Sequence, residues 1–470
     1  MLDFVIFAVT FVVTLIIAVI YLYPTSRKTT TVPGLEASNQ ETGNVPDIER
    51  AGSLQEFLVD LHGQYGSIAS FWIGQKLVVS VASPKLFKEQ QAVFDRPVEL
   101  MRLFRPLFGS SSIPFTNKAD GRTRRTKYDK VFTRSAFKNS YAIFHKVSAD
   151  LSTKWSTMPD EQHIPLTQHM LALSFKILMW TLVGDYFKDD KKLLEFRKNF
   201  DVCWSITEES LLAESFPEEG SQQFKRFSQA KSALHDTLKD VLQKQRSRPR
   251  GNDLMFVDMV TLAGISEDTQ VEDLLTFIVW GVHKTAFMLS WALYFLATHP
   301  DVQQKLVKEI STALGESEVN ENNVDKLRYL RQVLDETLRC SALSPWSARV
   351  QDFDTELEGH KIPKNTPVIH ALGVVLQGDT WWAEPNKFDP DRFSSENTKS
   401  RPLLAFSPFG FAGKRTCPGA QLAYLEATSV LVTLLRQHKV KMVEGLVINP
   451  VYGIVTHPGD EIWITVEKRK

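Results

Sequence analysis

The sequence predicts a mainly α-helical chain with a small β region, preceded by a single N-terminal membrane-spanning helix. Three observations carry this expectation. Apolar residues recur at helical spacing over residues 162–244, with two interruptions, and again over 271–299. Period-two alternation is confined to short runs at 68–81, 362–375 and 462–466, too little for a large sheet. Residues 4–23 (FVIFAVTFVVTLIIAVIYLY) carry no charge, and roughly twenty apolar residues cross ~30 Å of hydrocarbon as a helix.

Residues 1–23 read as a transmembrane signal-anchor: Tyr21 and Tyr23 suit an interface, Pro24 ends the helix, and the apolar core is too long for a cleaved signal peptide. Asp3 precedes the span, and Arg27 and Lys28 follow it. By the positive-inside rule the remaining chain faces the cytosol, with the endoplasmic reticulum as the expected membrane. Residues 24–35 form a polar connector closing on Pro33-Gly34, a stiff turn. Residues 36–470 show no break in composition and are expected to form one body.

Within that body, residues 54–65 have helical spacing, and 68–81 read as two strands around Gly74-Gln75. Residues 100–115 (LMRLFRPLFGSSSIPF) are apolar but broken, as expected of a loop over a cavity. A basic helix follows, holding Arg122, Arg124, Arg125, Lys127, Lys130 and Arg134. Residues 208–222 are acidic around a Pro-Glu-Glu-Gly break and read as a lid, and 247–252 as a surface loop.

Residues 271–299 are apolar on nearly all sides, so this helix is expected to run buried through the body. Gly281, His283, Lys284 and Thr285 stand out there, because unpaired polar groups are costly to bury. A hydroxyl at Thr285 reaches the carbonyl of Gly281 four residues back in many helices. His299-Pro300 ends the helix, and Asp301 is the expected cap of the next. Residues 328–340 form a further helix with Glu336 and Arg339 on one face. Residues 362–375 read as a hairpin strand and 462–466 as the clearest late strand.

Lysines and arginines balance aspartates and glutamates at 55 each, so no global field favours nucleic acid. Cys203, Cys340 and Cys417 are too few and too scattered for a disulfide framework or a zinc site, which points to a reducing compartment.

The chemistry concentrates in residues 406–427, FSPFGFAGKRTCPGAQLAYLEA. Pro408, Gly410 and Gly413 supply turns, and Gly413 can bring bare backbone against a flat ligand. Cys417 precedes a helix whose first position suits Pro418, so a thiolate there meets free N–H groups and the positive end of the helix dipole. That is a soft sulfur ligand suited to iron.

This segment resembles the haem-ligand loop of the cytochrome P-450 superfamily, the haem-thiolate monooxygenases, whose pattern is Phe-x-x-Gly-x-Arg-x-Cys-x-Gly. Gly413, Arg415, Cys417 and Gly419 fall in register. The pattern's aromatic falls on Gly410, leaving Phe409 and Phe411 as the rings to either side. Further matches are Gly281 with Thr285, Glu336 with Arg339, Pro345 with Arg349, and Phe388–Phe393 (FDPDRF), which contributes Arg392. The opening MLDFVIFAVTF, Lys284 before Thr285 and the shifted Phe-Gly loop resemble the animal family-20 branch.

The resemblance implies a triangular helical prism with haem b buried between the 271–299 helix and the Cys417 loop. It implies Cys417 as axial thiolate and Arg349 and Arg415 on propionates, with Gly413 and Phe409 beside the haem and Arg124 as a propionate candidate on the basic helix. Gly281, Lys284 and Thr285 would line the groove for dioxygen and protons, Lys284 standing where the family carries an acid. Glu336, Arg339 and Arg392 would lock the proximal side. Implied partners are the bilayer, an NADPH-dependent cytochrome P-450 reductase, cytochrome b5 and a small apolar substrate such as a lipid, steroid or xenobiotic. Two other readings stay open: a haem-thiolate sensor with little turnover, and a peroxide isomerase that needs no reductase.

Overall fold

The computed structural model describes residues 10–15, 30–213, 215–248, 254–411 and 413–469. Most of the membrane-anchor expectation and part of the 247–252 loop fall outside these. Residues 10–15 are helical, with Phe11, Val12, Val13 and Leu15 exposed.

The architecture is mainly helical with small sheets. Its axis is the helix Glu267–Thr298, which begins four residues before the apolar run because Ser266 Oγ accepts the Thr269 N–H at 3.3 Å and Glu267 and Asp268 fill the first turn. The helix is long and apolar enough to cross a membrane, but it is mostly buried inside the protein and serves as its core. It packs on Leu166–Leu182, Gln222–Ser247, Arg328–Ser341 and Ala420–Gln437. The next helix differs from expectation at its start. Pro300 opens it, His299 holds the cap position, and Asp301 lies in the first turn.

The β region is split. Ile68–Ile73 and Lys76–Val81 form the expected hairpin, and Gly74 at the turn has φ +57°, where a side chain would be strained. The 362–375 run does not form a single hairpin strand. Val368–His370 pairs in parallel with Lys76–Val81 and antiparallel with Ser347–Arg349, and Leu372–Gln377 turns helical. This four-stranded sheet therefore delivers Arg349 to the interior. Trp463–Lys468 pairs with His438–Met442 and Ile164–Pro165. The broken segment 100–115 is a run of short helical turns, Val98–Phe104, Arg105–Phe108 and Ile113–Phe115.

A buried ion cluster locks the side of the molecule that carries Cys417. Arg339 donates Nε–H to Glu336 Oε2 at 2.7 Å and Nη2–H to Oε1 at 2.9 Å, and Arg392 donates Nε–H to Oε1 at 3.2 Å. The Asp389 N–H adds 2.9 Å to the same oxygen, so the 387–393 segment is tied to the Arg328–Ser341 helix.

Glu426, on Ala420–Gln437, is buried beside Ser174 with neither carboxyl oxygen hydrogen-bonded among the described residues. Burial pushes its carboxyl up from 4.5 to about 8. Between those values the folded chain keeps a proton that the unfolded chain releases, so stability falls as pH rises through the window. Glu426→Gln is expected to flatten that decline, gaining on the order of a few kcal/mol at its upper end. Denaturant midpoints measured against pH check this; parallel slopes for variant and parent would show that Glu426 titrates normally.

Candidate active site

Cys417 ends a tight loop. Its N–H donates to Phe409 O at 2.9 Å, Thr416 N–H to Gly413 O at 3.1 Å, and Gly410 N–H to Ser407 O at 3.0 Å. Gly410 has φ +80° and Gly413 φ +37°, the left-handed conformations that let the loop turn. Gly413 is exposed, so backbone conformation accounts for glycine there. The helix begins at Ala420 with Gly419 at its cap, placing Pro418 in the turn before it and not in its first position. The two flanking rings part company. Phe411 stacks on Phe87 at 5.0 Å and meets His370 edge-on at 4.7 Å, whereas Phe409 packs against Tyr424 at 5.3 Å.

Arginines gather opposite this loop. Arg349 and Arg415 are joined by Arg96 and Arg125, and after burial the neighbouring guanidiniums further loosen the hold of Arg96, Arg349 and Arg415 on the proton. Burial and the facing Arg96 and Arg125 lower Arg349 to about 9. An arginine does not lose its proton in a protein, so this repulsion amounts to a demand for anions. Arg349 Nε is buried without a partner, and Arg96 makes no side-chain hydrogen bond among the described residues. Arg415 is differently placed. It donates to Phe94 O at 3.1 Å, Ile113 O at 3.1 Å, Thr116 O and Asn117 Oδ1, and stacks on Phe94 at 3.8 Å. Arg125 donates to Thr416 O at 2.9 Å and pairs with Asp129 at 3.0 Å.

Arg124, the propionate candidate that the resemblance implied, lies outside this group. Its guanidinium donates to Asp273 at 3.1 Å, to Asp120 at 2.9 Å, to Ser111 O and to Thr116 Oγ1. Asp273 also accepts from Tyr128 Oη at 2.6 Å and the Ile113 N–H at 2.6 Å, pinning the Lys118–Tyr128 helix and the 111–117 loop to the central helix. The neighbouring Arg125 is thereby turned toward the Cys417 loop. Arg96, in the Phe94-Asp95-Arg96-Pro97 loop, was missed, and its one sequence signal is a lone arginine beside an apolar stretch.

On the central helix, a methyl at Gly281 would meet Leu178 Cδ2 at 2.7 Å, so glycine permits close packing of these helices. Thr276 and Ser290 bond back to Glu272 O and Ala286 O, at 2.8 and 2.9 Å. Thr285, buried nearby, forms no such bond among the described residues, and its hydroxyl is left for other work. Lys284 donates Nζ–H to Ser344 Oγ at 2.6 Å and lies 5.4 Å from the Trp280 ring. Burial lowers its pKa, the negative sulfur of Cys417 opposes that, and Arg96 adds to it.

The cytochrome P450 family profile matches residues 33–462. The chain belongs to the cytochrome P450 family. Cytochrome P450 20A1 of Bos taurus is 37% identical over 472 residues, spanning 100% of both chains. Cytochrome P450 20A1 of Homo sapiens is 36% identical over 473 residues, again 100% of each. Cytochrome P450 3A31 of Mesocricetus auratus is 27% identical over 423 residues, 81% of this chain and 80% of its own. This P450 is accordingly a haem-thiolate monooxygenase by family. Its residues fit the cofactor. A cysteine at a helix mouth offers the thiolate, and buried guanidiniums that lack anions, Arg349 with an orphaned Nε, offer partners to two propionates.

Proposed function

We propose that this P450 is a membrane-anchored monooxygenase that inserts one atom of dioxygen into a small apolar substrate, drawing electrons from an NADPH-dependent reductase. The observation that carries it is the cluster of Arg96, Arg125 and Arg349 beside the Cys417 loop, in which Arg96 and Arg349 have no counter-anion among the described residues. Bound haem supplies dioxygen activation and stepwise electron uptake, chemistry no side chain provides. Cys417 would hold the iron and Arg349 and Arg96 the propionates, while Arg125 steadies the loop through Thr416 O. Gly413 and Phe409 shape the turn around the sulfur, Gly281 sets the depth of the helix, and Thr285 offers a free hydroxyl for hydrogen bonding to substrate oxygen.

Residues 36–470 form the catalytic domain in this reading, with 1–23 as anchor and 24–35 as connector. The exposed apolar side chains at 11, 12, 13 and 15 support the anchor. Exposed Arg122, Lys130 and Lys414 support docking of an acidic partner, the reductase or cytochrome b5, on the Cys417 side. The endoplasmic reticulum, with the body in the cytosol, is the proposed address.

Lys284 favours one second reading, a sensor with little turnover. Held by Ser344, with Arg96 nearby, it does not relay protons as a carboxylate does. Lys284→Asp is expected to raise coupled turnover about tenfold or more, with less peroxide released per NADPH consumed. An unchanged ratio with purified reductase would clear the lysine of limiting proton delivery and remove the support it gives the sensor reading.

A further inference from the structure

We infer that the cleft between the helices Leu166–Leu182 and Asp190–Leu212 and the central helix binds a small protonated amine with an apolar, single-ring body. The inference stands on the cleft itself and not on the haem assignment. The cavity holds about 190 Å³, below the ~300 Å³ at which pockets for drug-sized ligands begin. Its walls are aromatic: Phe175, Phe200, Trp204 and Phe287 contribute rings.

His283 sits in the central-helix wall, 4% exposed, with neither ring nitrogen hydrogen-bonded. Its ring is stacked between Trp204, at 3.8 Å and 24°, and Phe200, at 5.4 Å and 14°. Burial holds its pKa down at about 3, so the imidazole stays neutral and keeps a nitrogen lone pair for a donor. A buried polar ring without a partner costs stability unless a ligand supplies one.

Charge decides what that ligand is. Glu208 and Asp201 both line the cleft, and burial raises the pKa of each. Asp201 has Arg197 at 3.4 Å, while Glu208 has the Trp204 indole N–H beside it and the His457 Nε2 at 3.6 Å, beyond a good hydrogen bond, and no arginine or lysine paired with it among the described residues. An anion entering here would meet Glu208 with its one nearby arginine already paired, and a neutral molecule would leave the carboxylate uncompensated. An ammonium group answers both the Glu208 carboxylate and the unpartnered His283 nitrogen, while its apolar body packs on the aromatic walls. The indole of Trp204 lies 6.4 Å from that of Trp280, over which Lys284 sits at 5.4 Å, so the cleft is one ring away from the central-helix lysine.

The test uses the full-length, haem-loaded protein in detergent, titrated with 2-phenylethylamine and with uncharged 2-phenylethanol, followed by calorimetry and tryptophan fluorescence. The amine is expected to bind at least about tenfold more tightly than the alcohol. Glu208→Gln, at the rim, is expected to erase that preference while leaving the alcohol unchanged, and Trp204→Leu to weaken both. Equal affinities, absent binding, or a preference that survives Glu208→Gln would overturn the inference. So would a haem absorption shift of nitrogen-ligand type that tracks the titration, because it would put the amine on the iron.

Discussion

Cys417→Ala removes the thiolate signature from the ferrous carbon monoxide spectrum completely, because Cys203 and Cys340 cannot replace it. Burial pushes Cys203 up to about 12 and raises Cys340 still further, so neither offers a thiolate. Cys340 is in addition engaged by the Arg339–Glu336 pair. The fold itself should survive. The cysteine is only half-buried, and the loop is held by the Phe409 carbonyl through a main-chain bond that alanine keeps. The expected result is therefore a variant with unchanged far-ultraviolet circular dichroism that binds haem weakly and lacks the thiolate band. An unchanged carbon monoxide spectrum would refute the ligand assignment.

Glu336→Ala is expected to cost ~3–5 kcal/mol, the penalty for stranding a charge whose partner has been removed from the interior. Arg339 is fully buried, and its Nε and Nη2 groups both face Glu336. Arg392 would lose its carboxylate as well, and the Asp389 N–H its acceptor. Because the 387–393 segment leads into the Cys417 loop, the loss should also appear as poor haem retention, not only as a lower melting temperature. Glu336→Gln keeps one acceptor oxygen and should recover part of both. Melting followed in parallel by circular dichroism and haem absorbance separates the effects; a variant that melts with the parent and holds haem equally well would show that the cluster does not lock this side.

The parts legible in sequence were those encoded locally. A helix hydrophobic on every side and a turn-rich loop ending in cysteine each announce themselves within one segment. Sequence spacing went astray where the answer depended on what stands opposite. The resemblance offered Arg124 on the basic helix, yet Arg124 is taken by Asp273, a residue of the central helix far along the chain, and Arg125 turns inward instead. Arg96 escaped notice because nothing near it in sequence marks its meeting with Arg349. Asp301 was the expected cap, but Pro300, lacking an N–H, already opens the helix without one. The run 362–375 alternates like a strand, yet it is split: Ile362 pairs with Thr355, Val368–His370 joins the four-stranded sheet, and Leu372–Gln377 turns helical.

The amino-acid order alone settled the kind of protein this is: helices set by periodicity, a cysteine set at the mouth of one of them, and matching motifs in family order. Tertiary structure alone decided which arginines confront one another around that cysteine, that Lys284 reaches Ser344, and that His283 lies unpartnered among aromatic rings. Periodicity tells which face of a helix a side chain occupies. It does not tell which charge or ring is packed against that face, because those neighbours come from distant segments brought together by burial of the whole core.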